Sequence, residues 1–438
     1  MSKISDWKSE RFANVLAGLG IVLVPFQGFL TVWGSSLVGH YTALRLWDDA
    51  LLLLLGAIVV YWLVRESEVR SWFFGSLLVR LILVYAALTL LLGFVSYVKG
   101  EVTGKALAYG ILINLRYPAW FLAVLLTARH SPWLRRQWLK LVLIPAAIVV
   151  VFAVLQYTVL PHNFLTHFGY NAATNIAPIE TINHNPHYIR VQSTTRGANP
   201  LGAYLVIIIS GLGALYVRGK RKVLCAACGL VTLGALYATG SRSAWIGSFL
   251  ALGVIAWLNL KTRRSRIILG AVSVLVVLLA AGGYLLLKNN VELQNEILHT
   301  QTNSSVKTTS NGAHASALET GLKEVERQPL GDGPGTAGPA SVYNGSHPAR
   351  IAEDYYVQIG QEVGWIGVVL FVSILAFVGM ELYAEIPGSR LALVAFASCI
   401  GLAFVNLLSH AWADDTLAFV WWGLAGIALA KPLKGKGK

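Results

Sequence analysis

The sequence predicts an all-α polytopic membrane protein of about 12 transmembrane helices. Three observations carry that prediction. Only 13% of the 438 residues are charged and 55% are hydrophobic, whereas a soluble domain usually carries about 25% charged residues. Mean hydropathy is +0.61. Apolar runs long enough to cross a bilayer recur along almost the whole chain, and about 20 such residues suffice for one crossing.

The runs fall at residues 12–33, 44–64, 73–97, 106–127, 138–160, 199–218, 222–239, 243–260, 266–287, 361–383, 391–410 and 414–431. The first, after MSKISDWKSERF, resembles an ordinary span rather than a cleaved signal. An even number of crossings puts both termini on one side. The net charge of +14 is then a topology signal, because 22 of the 35 Lys and Arg lie on that side in very short connections and the tail. By the positive-inside rule that side is cytoplasmic, which predicts a multi-pass protein of the cytoplasmic (inner) membrane and no nucleic-acid partner. Arg80 and Arg116 fall within spans. Cys225, Cys228 and Cys399 all lie in apolar runs. Cys225-x-x-Cys228 has no second ligand pair, so it reads as small apolar residues in a helix.

The chain divides into membrane spans at 1–160, an outer loop at 161–198, spans at 199–287, a large outer loop at 288–360, and spans with a basic tail at 361–438. Loops this long usually carry function or are disordered. Nine of the ten histidines (40, 162, 167, 184, 187, 299, 314, 347 and 410) fall on the outer side, with His130 inside. Within the large loop, HASALETGLKEVERQ sets Leu318, Leu322 and Val325 on one stripe of a helix, shared by His314, with the glutamates facing away. Asn311 or Ser310 is its expected cap and Pro329 its end. PLGDGPGTAGPAS follows, a non-helical path suited to close approach or a corner. EDYYVQIGQEVGWIG then returns to the membrane.

Three outer-face arginines stand out: Arg190 and Arg196 in IRVQSTTRGANPLGAYL, and Arg242 in TGSRSAWIG. None has an acid nearby in sequence. An isolated arginine there could equally snorkel to lipid phosphate. Three of them, flanked by Ser, Thr and Asn, point to a phosphate site, since the guanidinium fork matches phosphate oxygens. The pairs Asp48/Asp49 and Asp414/Asp415 read as helix-start carboxylates rather than cation ligands. No metal or cofactor is therefore expected. A general base is needed if a hydroxyl is to attack. His314 comes first, Glu353 second and His347 third, each with a structural alternative.

RVQSTTRGANPLGAYL, TGSRSAWIG, PLGDGPGTAGPAS and EDYYVQIGQEVGWIG, in this order, resemble the O-antigen ligase and O-antigen polymerase family over about residues 185–380. The resemblance implies the C-type membrane glycosyltransferase fold with a large periplasmic loop. It also implies a donor glycan on undecaprenyl pyrophosphate and an acceptor hydroxyl on lipid A-core, another glycan or a protein. In the family, arginines grip the pyrophosphate without metal and a loop histidine acts as base. By motif, Arg190, Arg196 and Arg242 are those arginines. Many ligases carry His-Asn-x-Tyr-Leu where this chain has Glu353-Asp354-Tyr355-Tyr356-Val357, which leaves the base open between His314 and Glu353. Asn199, His347, Asp354, Tyr356 and Gln358 are expected sugar or phosphate contacts. The implied reaction is inverting transfer to lipid A-core. Polymerisation, protein glycosylation and, outside enzymes, transport of the lipid-linked glycan are the alternatives.

Overall fold

A computed structural model describes residues 2–171, 174, 176–183, 185–287, 289–299, 310–345 and 348–432. The main helices are α1 (Ser2–Leu23), α2 (Gln27–Val38), α3 (Trp47–Arg65), α4 (Leu77–Val98), α5 (Gly104–His130), α6 (Trp133–Thr158), α7 (Ala198–Arg218), α8 (Lys222–Ala238), α9 (Arg242–Asn259), α10 (Arg263–Leu287), α11 (Ser310–Arg327), α12 (Tyr355–Glu385), α13 (Arg390–Val405) and α14 (Asp415–Leu429). The apolar runs of the sequence are largely helical, the first being interrupted by a 3-10 turn at Val24–Phe26 where Pro25 breaks the ladder, and the run 391–410 leaving its helix at Val405. Among the described residues, eight helices are long and apolar enough to cross a membrane, and α8, α13 and α14 are shorter apolar helices.

Several helices start where a side chain meets an orphan backbone N–H. Ser76, Thr103, Asp354, Ser389 and Asp414 accept from Val79, Ala106, Val357, Ala392 and Thr416 respectively. The core gathers around α5, α7 and α14. The Trp120 indole donates to the Phe419 carbonyl at 2.8 Å, and the Tyr117 and Trp422 rings lie 5.0 Å apart. By contrast, no residue in the apolar window of α10 is buried, as expected of a helix whose surroundings are lipid.

The chain is not purely helical. In the segment between α6 and α7, β1 (Glu180–Ile182) pairs antiparallel with β2 (Asn185–Arg190). No sequence signal announces it, because NPHYIR lacks the alternation that marks a half-buried strand.

The Gly-Pro segment is a structural plug. Helix α12 breaks at Gly364, whose φ is 70°. The freed carbonyls of Gln361 and Glu362 accept from Asp332 and Gly333 at 2.8 and 2.9 Å, while Trp365 donates to the Pro329 carbonyl at 3.0 Å. Buried Glu362 accepts from the Gly335 N–H and from Asn114 Nδ2, each at 2.7 Å. Irregular backbone at this depth persists because protein groups satisfy it. A Cβ at Gly335, where φ is +91°, would lie 2.3 Å from the Ala106 carbonyl oxygen. Gly335→Ala should therefore lower stability by about 1–3 kcal/mol. Gly270→Ala, on the open face of α10, should change it little. Thermal unfolding in detergent checks the contrast.

Candidate active site

A cavity of about 480 Å³ collects side chains from several separate segments. Strand β2 brings Arg190, the start of α7 brings Asn199, the turn into α9 brings Ser241, Arg242 and Ser243, and α11 brings Asn311 and His314. Glu353 and Asp354 close one side, and Leu407 and Leu408 form an apolar rim.

The arginines are held by neutral groups as well as charge. Arg190 donates through Nε to the Thr239 carbonyl at 2.8 Å and through Nη2 to Asn199 Oδ1 at 2.5 Å. Its Nη1 lies 3.7 Å from Glu180 Oε2. Arg242 donates to the Leu298 carbonyl at 2.8 Å and to Asn311 Oδ1 at 2.6 Å. It makes no ion pair among the described residues. The turn is tight enough to set the two arginines side by side. Gly240 has a φ of +60°, and a Cβ there would come within 3.3 Å of Arg190 Nε. His299 completes this wall. Burial first, and then the Arg242 and Arg190 cations, push its imidazole down to about 4, so it is neutral near pH 7.

Opposite the arginines, His314 Nδ1 contacts Glu353 Oε2 directly. Both side chains keep access to the cavity, at 39% and 37% exposure. The hydrogen bond from His314 keeps the Glu353 carboxyl below its ordinary value despite partial burial, so it is ionised. Glu353 sits at φ 56°, a left-handed conformation that non-glycine residues rarely adopt. Such strain persists only where surrounding structure fixes it. Here Asp354, next in the chain, caps α12 through the Val357 N–H at 2.9 Å. Among the described residues, no group of three or more His, Cys, Asp or Glu is arranged to hold a metal ion.

Residues 226–372 match the family model described as O-antigen ligase. That stretch is an O-antigen ligase family domain. No curated protein matches the chain. The O-antigen ligase domain contains Arg242, His299, Asn311, His314, Glu353 and Asp354, whereas Arg190, Arg196 and Asn199 precede it. The cavity is thus built by the domain together with Arg190 and Asn199 before it and Leu407 and Leu408 after it.

Several sequence expectations are corrected. Arg196 is not in this cavity. Its Nη1 lies 3.5 Å from Asp415 Oδ2 in a separate charged cluster, where Arg116 pairs with Asp49 at 2.7 and 2.9 Å and also contacts Asp415. Asp49 and Asp415 are therefore ion-pair partners as well as first-turn acids, and only Asp414 among the four accepts a capping N–H. Arg190 and Arg196 do meet acids, brought from 10 and 219 positions away. The serine and threonines between them anchor backbone. Ser193 Oγ donates to the Val149 carbonyl, and Thr194 Oγ1 to that of Pro25.

Tyr356 donates to the Ala403 carbonyl at 3.0 Å and faces a different, apolar groove. Gln358 is buried beneath Gly338 beside Glu362. Asn311 lies within α11 and serves Arg242, and Leu322 is exposed while Val325 packs on Ala352 and Val357. Glu324, expected to face away, bonds Gln361 at 2.5 Å. His347 lies outside the described residues. Sequence reasoning overlooked His299 and the arginine-binding role of Asn311. Outer-side histidine enrichment was the one available signal, and it does not single out a member.

The two arginine environments predict different phenotypes. Arg196→Ala removes a cation from the buried Asp415 carboxylate and should cost about 1–3 kcal/mol of stability. Arg242→Ala removes a group that bonds only a carbonyl and an amide, and should unfold within about 0.5 kcal/mol of the parent. Thermal unfolding of both variants distinguishes them.

Proposed function

We propose that this protein transfers a glycan from undecaprenyl pyrophosphate to an acceptor hydroxyl at the outer face of the cytoplasmic membrane. Its O-antigen ligase domain supports that class of chemistry and a lipid-linked glycan substrate. The observation that carries the reading is a junction. The polar cavity meets, at Leu407, an apolar groove of about 740 Å³ running between α12 and α13 past Val372, Leu375, Met380 and Ile400. A donor with a pyrophosphate head and a polyprenyl tail has that same division.

In this reading the diphosphate lies against Arg190 and Arg242. His314, its Nδ1–H directed at the Glu353 carboxylate, takes the acceptor proton on Nε2. The acceptor oxygen forms a bond to the anomeric carbon from the face opposite the phosphate. The carbon–oxygen bond to pyrophosphate breaks and its electron pair leaves with the lipid, giving inversion. The two guanidinium groups stabilise that developing charge, a task that arginine performs without a divalent cation. In the topology expected from the basic residues, twelve crossings with both termini cytoplasmic, the cavity lies on the outer side.

Transport of the lipid-linked glycan is less well supported. A transport site is expected near the bilayer midplane. Here the buried Arg116, midway along α5, is already matched by Asp49 and Asp415, which leaves that cluster no unpaired charge for a cargo.

Turnover of an undecaprenyl-pyrophosphate glycan by the purified protein tests the proposal. Arg190→Ala and Arg242→Ala should each lower kcat/KM about 10²–10³-fold. His314→Ala should lower kcat about 10²–10⁴-fold, with Glu353→Gln less severe, and EDTA should have no effect. Full activity in Arg242→Ala, or loss with EDTA, refutes the mechanism. Lipid A-core, glycan and protein acceptors compared in the same assay identify the second substrate.

A further inference from the structure

Helix α11 separates two cavities. His314, Ala315 and Leu318 line the arginine cavity, while Ala313, Ser316, Ala317 and Thr320 line a second cavity of about 600 Å³ on the helix's other side. Beneath the helix the segment before α12 crosses from one to the other. Arg350 and Ile351 line the second cavity, Glu353 and Asp354 the first, and Ala352 lines both. The His314–Glu353 contact lies in the first cavity, each residue following in the chain one that lines the second, Ala313 and Ala352. A transferase of two large substrates needs such a layout, because a proton acceptor between two sites serves a hydroxyl arriving from one and a leaving group held in the other.

The chemistry of the second cavity differs from that of the first. Arg350 is not free for an anion, since Nη1 lies 2.7 Å from Asp332 Oδ2 and Nε lies 3.6 Å from Glu324 Oε1. With two carboxylates around one guanidinium, the local balance is negative. A phosphate would be repelled there, whereas neutral hydroxyls find acceptors and donors. Gln361, 3% exposed, reaches the same wall and donates through Nε2 to Glu324 Oε2, while its buried Oε1 has no hydrogen-bond partner. Small residues at Gly312, Ala313, Ala317 and Gly321 leave room for sugar rings. The volume is in the range of ligand sites, roughly 300–1,000 Å³.

We propose that this second cavity, between α11 and residues 348–352, is the acceptor subsite and takes a neutral, unphosphorylated glycan whose hydroxyl reaches the His314–Glu353 pair. This rests on the glycosyl-transfer reading for its role, but binding itself is testable alone. Saturation-transfer NMR on the full chain in detergent, with neutral hexose and N-acetylhexosamine trisaccharides as probes, reads occupancy directly. Thr320→Trp fills the cavity from an exposed helix position. It should weaken trisaccharide binding at least tenfold, and in turnover should raise the acceptor KM more than it lowers kcat. Arg242→Ala should keep trisaccharide binding.

No trisaccharide binding by the parent protein, equal binding by Thr320→Trp, loss in Arg242→Ala, or preference for phosphorylated trisaccharides would overturn the assignment. Trisaccharide binding that is sensitive to Thr320→Trp, in a protein with no donor turnover, would keep the subsite and reject the transferase reading. Donor turnover with no such binding would do the reverse.

Discussion

The positive charge of Arg242 is the constraint on which the site depends. A guanidinium at the start of a helix of this kind is costly without an anion. Its hydrogen-bonding partners are a backbone carbonyl and an amide. Arg190, set beside it by the Gly240 turn, is only loosely balanced by Glu180 at 3.7 Å. Arg116 shows the contrast. It lies deep among helices, and two carboxylates satisfy it. One arrangement holds a structure together, and the other leaves charge for something that arrives.

The opposite wall of the site is fixed by a different device. Breaking α12 at Gly364 opens two carbonyls, and the Gly-Pro segment fills the gap with its own N–H groups. That plug ties the loop after α11 to α5 and α12, so His314 and Glu353 meet although they belong to segments separated by a long irregular stretch. The left-handed backbone at Glu353 is sustained by this framework and by the Asp354 cap. The glycines in this segment form the support of the site, one layer behind its chemistry.

Much of the helical frame was legible, because apolar runs and capping residues are local signals. The helix around His314 was legible for the same reason, as was the nearness of Arg242 to a short outer turn. What the sequence hid was long-range pairing. Asp415 claims Arg196 from 219 positions away, and nothing local distinguishes Arg196 from Arg190. Tyr356 and Gln358 follow a promising motif, yet helical geometry turns one to an apolar groove and the other under Gly338. Leu322 fits the apolar stripe by spacing but is 43% exposed, because only the Val325 end of α11 meets the body. The β hairpin was illegible since its strands lack alternation.

The most direct measurement is a structure, by electron cryomicroscopy, of the protein with a short-chain polyprenyl pyrophosphate bound. The expected density places the diphosphate between Arg190 and Arg242, with the hydrocarbon leaving past Leu407 along the groove between α12 and α13. A diphosphate bound away from both guanidinium groups, or a chain lying in another groove, would contradict the assignment of this cavity as the donor site.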